Sequence, residues 1–360
     1  MRAMILAAGY GTRLFPLTAD RAKPALPFLN RPLVGYVAAY LARFGVQDVL
    51  VNLHHQGDSV RHALGDGSRF GVNTHFIEEP EILGTSGALD NARELLDADT
   101  FIAINGKIIT DIDLSLALET HRRTNALATL ILRRNTARER FTVVETDDEL
   151  LTGFGGMPSL PSDNDLGENS AFERDAIVNS SNDAPLMFTG IQILEPRIFD
   201  YIPRRRFSHT TTDVYLPALK NGERIVTHIT EQGMWYELST LQRYLDISLE
   251  LRKSNADIQT YLQTASHQNS HNRDDVIAGE DSIIENGATV EDAILWRDVV
   301  VEANAEVRRA VLGDGVRVRA GERYEDAIVV RAELVRAVEI PSKALPGHFA
   351  GANFVVPLRG

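Results

Sequence analysis

The sequence predicts an α/β domain followed by a parallel β-helix. Short apolar runs alternate with amphipathic segments as far as about residue 135, the pattern of a parallel sheet covered by helices. Beyond residue 275, short β-branched runs recur at six-residue intervals between Gly and Asn turns. The chain has 360 residues, more than one hydrophobic core usually organises, so two domains are expected.

The first half of the chain supplies the sheet and its helices. A helix is predicted after the first strand: Asn30 and Pro32 mark its start, the apolar face follows, and Gly45 ends it. A second amphipathic helix is predicted after Asp113. The predicted strands are residues 3–6, 49–53, 74–77, 101–104 and 128–132.

The second half of this domain resumes after a long polar segment. Residues 157–185 are rich in Pro, Ser, Asn and Asp and predict a surface excursion between two strands. The elements predicted beyond it are strands at 187–194, 224–229 and 234–237 and helices at 211–220 and 240–262. A polar linker is predicted at 263–275.

The six-residue period after this linker is typical of a parallel β-helix. Ile284 and Val290 follow it, as do Val299, Ala305 and Val311, and the register slips by one near Gly315. An antiparallel sandwich is the alternative. A coil of this kind leaves a flat face or an open end, which favours a homo-oligomer.

Composition and charge limit the function. The chain carries 37 basic and 50 acidic residues, a net charge of −13, which repels nucleic acid and anionic membranes. A phosphate ligand therefore needs a local cluster of donors. The absence of cysteine removes disulfides and thiolate metal sites. The amino-terminal residues have no signal-peptide pattern and no stretch is long enough to cross a bilayer, so a cytoplasmic protein is expected.

The segment LAAGYGTRL, residues 6–14, predicts a phosphate-binding turn directly after the first strand. Gly9 and Gly11 let the backbone approach a ligand and present successive N–H groups to phosphate oxygens. Arg13 adds a permanent charge, and Lys23 adds a second cation nearby. A Gly-x-Gly turn alone also occurs for geometric reasons, but two cations beside it indicate that several negative charges are neutralised together.

These motifs resemble the signature of the sugar-1-phosphate nucleotidyltransferases, the NDP-sugar pyrophosphorylases. The similarity covers LAAGYGTRLFPLT and AKPALPFLNRPL and continues through EPEILGTSGAL, NGKIITDIDL, FTGIQIL, TTDVYLPAL and GMWYELST, in the family's order. It is nearest to the branch of mannose-1-phosphate guanylyltransferases with a left-handed β-helix tail. The resemblance implies a Rossmann-like mixed-sheet domain at 1–262, the linker at 263–275, a hexapeptide-repeat-like left-handed β-helix at 276–340 and a tail at 341–360.

The resemblance also implies residue roles. Arg13 and Lys23 would act on the reacting phosphates, and Thr189 and Gly190 would bind the sugar. Ser86 and Gly87 would lie near the base and ribose. The nucleotide-binding set is Leu6, Ala8, Gly9, Gly11, Thr12, Arg13, Ser86 and Gly87.

The family normally holds Mg²⁺ between two carboxylates, and this chain departs from the pattern at both. Lys107 replaces the usual aspartate, and Glu237 replaces the second, from where it could ligate a metal or pair with Lys107. An ammonium 4 Å from a divalent ion costs roughly 8 kcal/mol at an effective dielectric of about 20, so Lys107 disfavours the metal. Met157 stands where many relatives have a lysine after the match to Gly153 and Phe154.

Two functions follow from the resemblance and these departures. The first is nucleotidyl transfer from an NTP to a sugar 1-phosphate, giving NDP-sugar and pyrophosphate, with Lys107 as a built-in cation. The second is a catalytically impaired homologue that binds nucleotide or sugar nucleotide and regulates a partner, such as a catalytic paralogue. Transfer to a non-sugar acceptor shares the same loop chemistry, but GTSGAL and FTGIQIL resemble the sugar branch.

Overall fold

The structure is a computed structural model that describes residues 1–137, 139, 141–155, 184–253 and 276–358. The predicted linker, Met157 and nearly all of the predicted surface excursion lie outside these residues. The strands of the α/β part are β1 (Arg2–Leu6), β2 (Pro27–Phe28), β3 (Arg31–Pro32), β4 (Asp48–Leu53), β5 (Asn73–Glu78), β6 (Phe101–Asn105), β7 (Ile108–Thr110), β8 (Ala128–Arg134), β9 (Val143–Asp147), β10 (Leu150–Gly155), β11 (Leu186–Leu194), β12 (Ile225–Ile229) and β13 (Trp235–Glu237).

The strands after the linker are β14 (Val276–Ala278), β15 (Ile283–Ile284), β16 (Thr289–Glu291), β17 (Ala293–Leu295), β18 (Val300–Val301), β19 (Glu306–Leu312), β20 (Arg317–Val318), β21 (Arg323–Arg331), β22 (His348–Ala350) and β23 (Asn353–Pro357). The α-helices are α1 (Leu33–Arg43), α2 (Gly57–Leu64), α3 (Gly84–Asn91), α4 (Arg93–Leu96), α5 (Leu114–Thr124), α6 (Leu216–Lys220), α7 (Leu241–Arg252) and α8 (Ala332–Arg336). Short 3₁₀ helices cover Thr12–Leu14, Lys23–Ala25, Ser68–Phe70 and Pro196–Asp200, and Thr210–Tyr215 is a π-helix.

The chain divides into two compact units. The first unit comprises Met1–Arg2, Leu83–Ile104 and Ile112–Gly233. The second comprises Ala3–Ile82, Asn105–Asp111 and Met234–Gly360. The second unit therefore holds the Gly-rich turn, Lys23, Lys107, Glu237 and the predicted β-helix.

The first unit contains a mixed sheet of strand order β6-β11-β8-β12-β10-β9. β11 runs antiparallel to β6 and β8, whereas β12 runs parallel to β8, with Ile225 opposite Ala128. The mixed sheet expected from the resemblance is thus confirmed. The α5 helix packs its predicted face inward, and Leu114, Ala117, Leu118 and His121 are all buried.

The α/β part of the second unit contains strands in the order β5-β4-β1 and the helix α1. β4 and β5 are parallel, with Asp48 opposite Asn73. The helix begins at Leu33 and buries the predicted apolar face, but Asn30 does not cap it. Asn30 and Leu29 instead adopt left-handed conformations in the two-residue turn between β2 and β3, so the helix starts later than predicted.

The carboxyl-terminal part of the second unit is a parallel β-helix. β14, β17, β19 and β21 pair side by side, as do β15, β18 and β20. The parallel pairing, for example of Val276 with Ala293, excludes the antiparallel sandwich for these strands. Every printed parallel pair in this part joins residues 17 apart, as Ile283 with Val300 and Glu306 with Arg323 show.

A coil of 17 residues explains the imperfect six-residue period. Inward residues follow steps of six, six and five, so one side of each coil is a residue short. The predicted slip therefore recurs in every coil and is not a single defect near Gly315. The inward positions are Ala278, Ile284 and Val290, then Leu295, Val301 and Val307, then Leu312, Val318 and Tyr324, with Val329 starting the next coil.

A second row of the β-helix faces outward into another core. Ile277, Ile294, Val311 and Ile328 recur every 17 residues and belong to a cluster that includes Leu14, Tyr36 and Tyr244. Burial of such side chains contributes roughly 1.5–3 kcal/mol each. The β-helix is therefore packed on the segment that carries the Gly-rich turn.

The predicted tail, residues 341–360, contains two strands. β23 pairs antiparallel with β21, with Val329 opposite Val355, and β22 pairs with β23. Alternating burial of Phe354 and Val356 against the outward core explains why this segment is ordered as a strand. Within the described residues, none of the helices has the length and apolar character to cross a membrane.

Candidate functional site

The end of β1 is fixed by buried polar contacts. The Leu6 carbonyl accepts a hydrogen bond from the Gly106 amide at 2.9 Å. The Ala7 amide donates to Asn52 Oδ1 at 2.7 Å, and the Asn52 side chain donates to Glu79 Oε1 at 2.7 Å. Asn52 and Glu79 are almost fully buried, so the entrance to the Gly-rich turn has little freedom.

The two glycines of the turn have different requirements. Gly11 has a φ of 66°, and a Cβ there would lie 3.0 Å from the Lys23 Cβ, so the fold itself requires glycine. Gly9 is exposed, and a Cβ there would meet no described atom within 4 Å. No packing contact in the described chain therefore requires glycine at position 9, which is consistent with the predicted close approach of a ligand.

The other predicted residues of the turn are close to these glycines in the chain. Leu6 ends β1 and is half-buried, whereas Ala8 is buried. Thr12 begins the first 3₁₀ helix, which Gly11 caps, and Arg13 follows with an exposed side chain. Within the described residues, Arg13 makes no ion pair. Its guanidinium is thus available to a ligand.

Lys23 lies at the start of the second 3₁₀ helix, facing three other charged groups. Burial lowers its pKa to about 7, and Lys107 and Arg13 lower it further by repulsion, whereas Glu237 opposes the shift. Its ammonium has no hydrogen-bond acceptor among the described side chains. A polyphosphate would supply that acceptor and restore the charged form.

Lys107 and Glu237 form the ion pair anticipated as the alternative to a metal. Lys107 Nζ lies 2.9 Å from Glu237 Oε2. The antiparallel pairing of β7 with β13 sets this contact, because Glu237 lies opposite Ile108 and the Leu238 amide donates to the Lys107 carbonyl at 3.1 Å. Glu237 is 8% exposed, so the pair is largely shielded from water.

The neighbouring acids have structural contacts. Asp111 Oδ1 accepts a hydrogen bond from the Met234 amide at 2.6 Å, at the end of the β7–β13 ladder. Asp113 Oδ1 accepts from the Ser115 amide at 2.8 Å and caps α5. These bonds agree with the prediction that the two acids belong to the turn and do not replace the missing metal ligand.

The residues present do not fit the magnesium ion that the family resemblance implies. Glu237, the remaining carboxylate of the pair, already binds an ammonium, and a divalent ion there would lie against the Lys107 charge. Across the described ranges, no group of three His, Cys, Asp or Glu side chains could hold a metal. The geometry therefore presents three cations and one carboxylate.

Ser86 and Gly87 lie in the first unit, at the start of α3. The Ser86 amide donates to the Ser208 carbonyl at 3.1 Å, and the two serine hydroxyls bond at 2.8 Å. A Cβ at Gly87 would lie 2.6 Å from the Arg206 carbonyl. Both residues thus hold residues 206–208 in place, and their role toward a base and ribose stays a prediction.

Thr189 and Gly190 lie in the first unit, at an irregularity of β11. The register of β11 with β8 shifts between Phe188 and Gln192, and Gly190 there has a φ of 81°. Thr189 is buried and its hydroxyl donates to the Ile131 carbonyl at 2.7 Å. Bulges of this kind redirect side chains next to binding sites. The sugar-binding role of the two residues stays a prediction.

Sequence reasoning missed several groups around the turn. Tyr10 is exposed, its hydroxyl lies 3.2 Å from His54 Nε2, and the His54 Nδ1 lies 2.8 Å from the Glu79 carbonyl. Asn52 and Glu79 were missed as well. The one signal in the sequence is that Asn52 and His54 lie at the end of a predicted strand, where polar residues of a parallel sheet usually have functional reasons.

Comparison with known proteins identifies relatives for both parts of the chain. The family described as "Nucleotidyl transferase" matches residues 2–254, and "GlmU-like, C-terminal hexapeptide" matches residues 260–347. The chain is 32% identical to a UTP–glucose-1-phosphate uridylyltransferase of Synechocystis sp., over 62% of this chain and 56% of that one. It is 30% identical to an N-acetylmuramate alpha-1-phosphate uridylyltransferase of Neisseria meningitidis, over 68% of this chain and 95% of that one.

A third relative and a solved structure agree with these matches. A mannose-1-phosphate guanylyltransferase of Mycobacterium tuberculosis is 26% identical over 69% of this chain and 64% of its own. The match to the Synechocystis relative therefore spans little more than half of that protein. A Bacillus anthracis crystal structure, described as a glucose-1-phosphate thymidylyltransferase with sucrose, superimposes with a TM-score of 0.58 at 22% identity, over 71% of this chain and 96% of that one. The superposition shows a shared fold.

Proposed function

Because the chain belongs to the nucleotidyl transferase family, we propose that it transfers a nucleotidyl group from an NTP to a sugar 1-phosphate and releases pyrophosphate. The observation that carries the proposal is the cluster of Arg13, Lys23 and Lys107 beside the Gly-rich turn. Three cations and one carboxylate leave a positive site in a chain of net charge −13, and that local excess favours a polyphosphate over a neutral ligand.

The transfer forms one bond and breaks one. An oxygen of the sugar phosphate attacks the α-phosphorus, and the bond from that phosphorus to the pyrophosphate oxygen breaks, with its electron pair leaving on pyrophosphate. The attacking oxygen is already anionic at neutral pH, so no base is needed. The protein contributes position and charge: the turn amides and Arg13 bind the triphosphate, and Lys23 neutralises the α-phosphate.

Lys23 is well matched to this step. With a pKa of about 7 it is close to half protonated before a ligand binds. A nearby polyphosphate raises the pKa, because opposite charge favours the ammonium, so binding takes up a proton. Lys107, held by Glu237, supplies a fixed cation where the relatives of this branch use a metal. The mechanism proposed here contains no step through Mg²⁺.

The remaining roles extend the proposal to the first unit. Ser86 and Gly87 would contact the base and ribose, and Thr189 and Gly190 would contact the sugar. The start of α3 and the bulge of β11 support these assignments by their geometry. A cytoplasmic location, where NTPs are plentiful, and a homo-oligomer formed through the β-helix complete the proposal.

One observation favours a second function. The Lys107–Glu237 ion pair fills the place of the metal with a bond inside the chain, as expected of a homologue that binds nucleotide or sugar nucleotide without turnover and regulates a catalytic paralogue. Losing one positioned charge from a transfer site costs several kcal/mol of transition-state stabilisation, whereas the Gly-rich turn, Arg13 and Lys23 would still bind phosphates.

One experiment distinguishes the two functions. The full chain is incubated with each NTP and a panel of hexose 1-phosphates, with Mg²⁺ or with EDTA, and pyrophosphate release is measured beside nucleotide-induced thermal stabilisation. Release that persists in EDTA is the expected result. Stabilisation without release would establish the binding function. Neither release nor stabilisation with any NTP or NDP-sugar would contradict both.

A further inference from the structure

A second cationic site lies in the second unit, away from the Gly-rich turn. A cavity of about 580 Å³ is lined by the β2–β3 hairpin, by α2 and by the first coils of the β-helix. This volume lies within the range of small-molecule sites. Its walls include the apolar Pro32 and Trp296 and the cations Arg31 and Arg69.

Arg31 is the unusual residue of this cavity. It is only 7% exposed, and both of its terminal nitrogens, Nη1 and Nη2, are buried without a hydrogen-bond partner in the described chain. The guanidinium lies 5.8 Å from the centre of the Tyr36 ring, which compensates a small part of the lost hydration. Burying a charged group without a partner is costly, and an arginine cannot lose its proton to avoid the cost.

The charges around Arg31 increase this cost. Burial lowers the pKa of Arg31, and the nearby Arg69 lowers it further by repulsion. Arg69 makes no ion pair within the described residues, and its side chain reaches the Ala63 carbonyl and the Phe70 ring. Elsewhere in the cavity the charges are balanced, since Arg21 pairs with Asp20 at 2.9 Å and with Asp314 at 2.7 Å.

The hairpin that carries Arg31 is held rigidly. The Asn30 side chain donates to the Ala278 carbonyl at 2.8 Å, and the Tyr36 hydroxyl donates to the Phe28 carbonyl at 2.9 Å. The Tyr244 hydroxyl also donates to the Pro27 carbonyl. These contacts keep Arg31 from swinging out to water, so the unpaired guanidinium is a fixed feature of the cavity wall.

We propose that this cavity is a binding site for a small phosphate-bearing molecule. Arg31 and Arg69 bind the phosphate, because two guanidinium groups without carboxylates match a doubly charged anion with several acceptor oxygens. The rest of the ligand lies along Pro32 and Trp296. The site is separate from the nucleotide cluster and does not depend on the proposed transfer reaction.

The test uses inorganic phosphate as the probe, on the full chain without nucleotide or metal. In chloride buffer of matched ionic strength, the Arg31→Met variant should unfold at a higher temperature than the wild type, because the unpaired charge is gone. Phosphate should raise the Tm of the wild type by about 2 °C at a tenfold excess over Kd and leave that of Arg31→Met unchanged. Arg122→Met, at an exposed arginine of α5, should behave as the wild type in both buffers.

Phosphate bound at the nucleotide cluster is distinguished by a double variant, Arg13→Met with Lys23→Met, which should keep the phosphate response. The proposal is overturned if that variant loses the response while Arg31→Met keeps it, or if phosphate stabilises no variant. A lower Tm of Arg31→Met in chloride would also overturn it, since the guanidinium would then serve packing. Should Arg31→Met not fold, Arg69→Met decides: its side chain is exposed, and phosphate affinity should fall about tenfold with the chloride Tm unchanged.

Discussion

Lys23 and Arg31 lie on the same segment of the chain, and each places a cation where water has little access. They differ in how the fold relieves that burial. Lys23 has a carboxylate, Glu237, within electrostatic range and can release its proton, as its pKa of about 7 indicates. Arg31 has no carboxylate acting on it and keeps its charge at any physiological pH. A buried lysine can therefore wait for its anion in a neutral form, whereas a buried arginine requires one.

The largest effect is expected on nucleotide affinity. Replacing Lys23 by Met should weaken the binding of an NTP about 10- to 100-fold, because a charge-assisted bond to phosphate is lost. Calorimetric titration of both proteins at pH 7 measures it. Lys220→Met, at an exposed lysine of α6, is the matched control and should bind as the wild type. Equal affinities of Lys23→Met and the control would remove Lys23 from the site.

The next effect concerns the metal. Lys107→Asp places a second carboxylate beside Glu237 and removes the competing ammonium, so Mg²⁺ should raise NTP affinity by about tenfold in this variant and little in the wild type. Lys107→Met removes the ammonium without adding a ligand and should show no magnesium response. A wild type that responds to Mg²⁺ as strongly as Lys107→Asp would contradict the view that the ion pair replaces the metal.

The third effect is on stability and follows from the lowered pKa of Lys23. Between pH 7 and the ordinary value of 10.5 the unfolded chain binds one proton more than the native chain at this residue, so the stability of the wild type rises with pH there. Lys23→Met lacks this dependence. It should be more stable than the wild type by at least about 1.4 kcal/mol, one pKa unit, at pH 6.5, with the difference gone by pH 10.

Denaturant unfolding of both proteins at four pH values between 6.5 and 10 measures this difference. Stability curves that stay parallel over the whole range would show that the pKa of Lys23 is not lowered. Lys220→Met again serves as the control, because an exposed lysine keeps its ordinary pKa and its replacement should leave the curve unchanged.

The smallest effect is expected from Arg31→Lys, which gives this position the option that Lys23 already has. A lysine there can lose its proton, so the variant should become more stable than the wild type as the pH rises, by about 1 kcal/mol at pH 9. The exposed Arg122→Lys should show no such trend. A pH-independent difference between Arg31→Lys and the wild type would mean that the position is open to water.

The predictable part of the fold rests on local pattern. The five strands of the first half and the inward faces of α1 and α5 follow from apolar runs and helical spacing, which depend on neighbouring residues alone. The coil length was harder. Counting single steps of six shows the β-helix but hides the shorter third side, and only the pairing of strands reveals a repeat of 17 residues.

The site divides in the same way. The pairing of Lys107 with Glu237 could be anticipated, because both departures occur in motifs that fall together in the family. Arg31 could not be, since in the sequence it reads as an ordinary charged residue after a turn. Its burial depends on Tyr36 and on Ala278, which is distant in the chain and meets the hairpin through Asn30. Contacts of such long range leave no local signal.

The constant 17-residue offset makes the height of the β-helix a quantity that can change only in whole steps. Adding or removing one complete coil would alter it by about 4.8 Å, the spacing of paired strands, and leave every inward position in phase. A single inserted residue within a strand would instead turn the following side chains away from the interior. The antiparallel strand β23 closes the stack after β21, so new coils can enter only before that lid, and the domain acts as a ruler whose last mark is fixed.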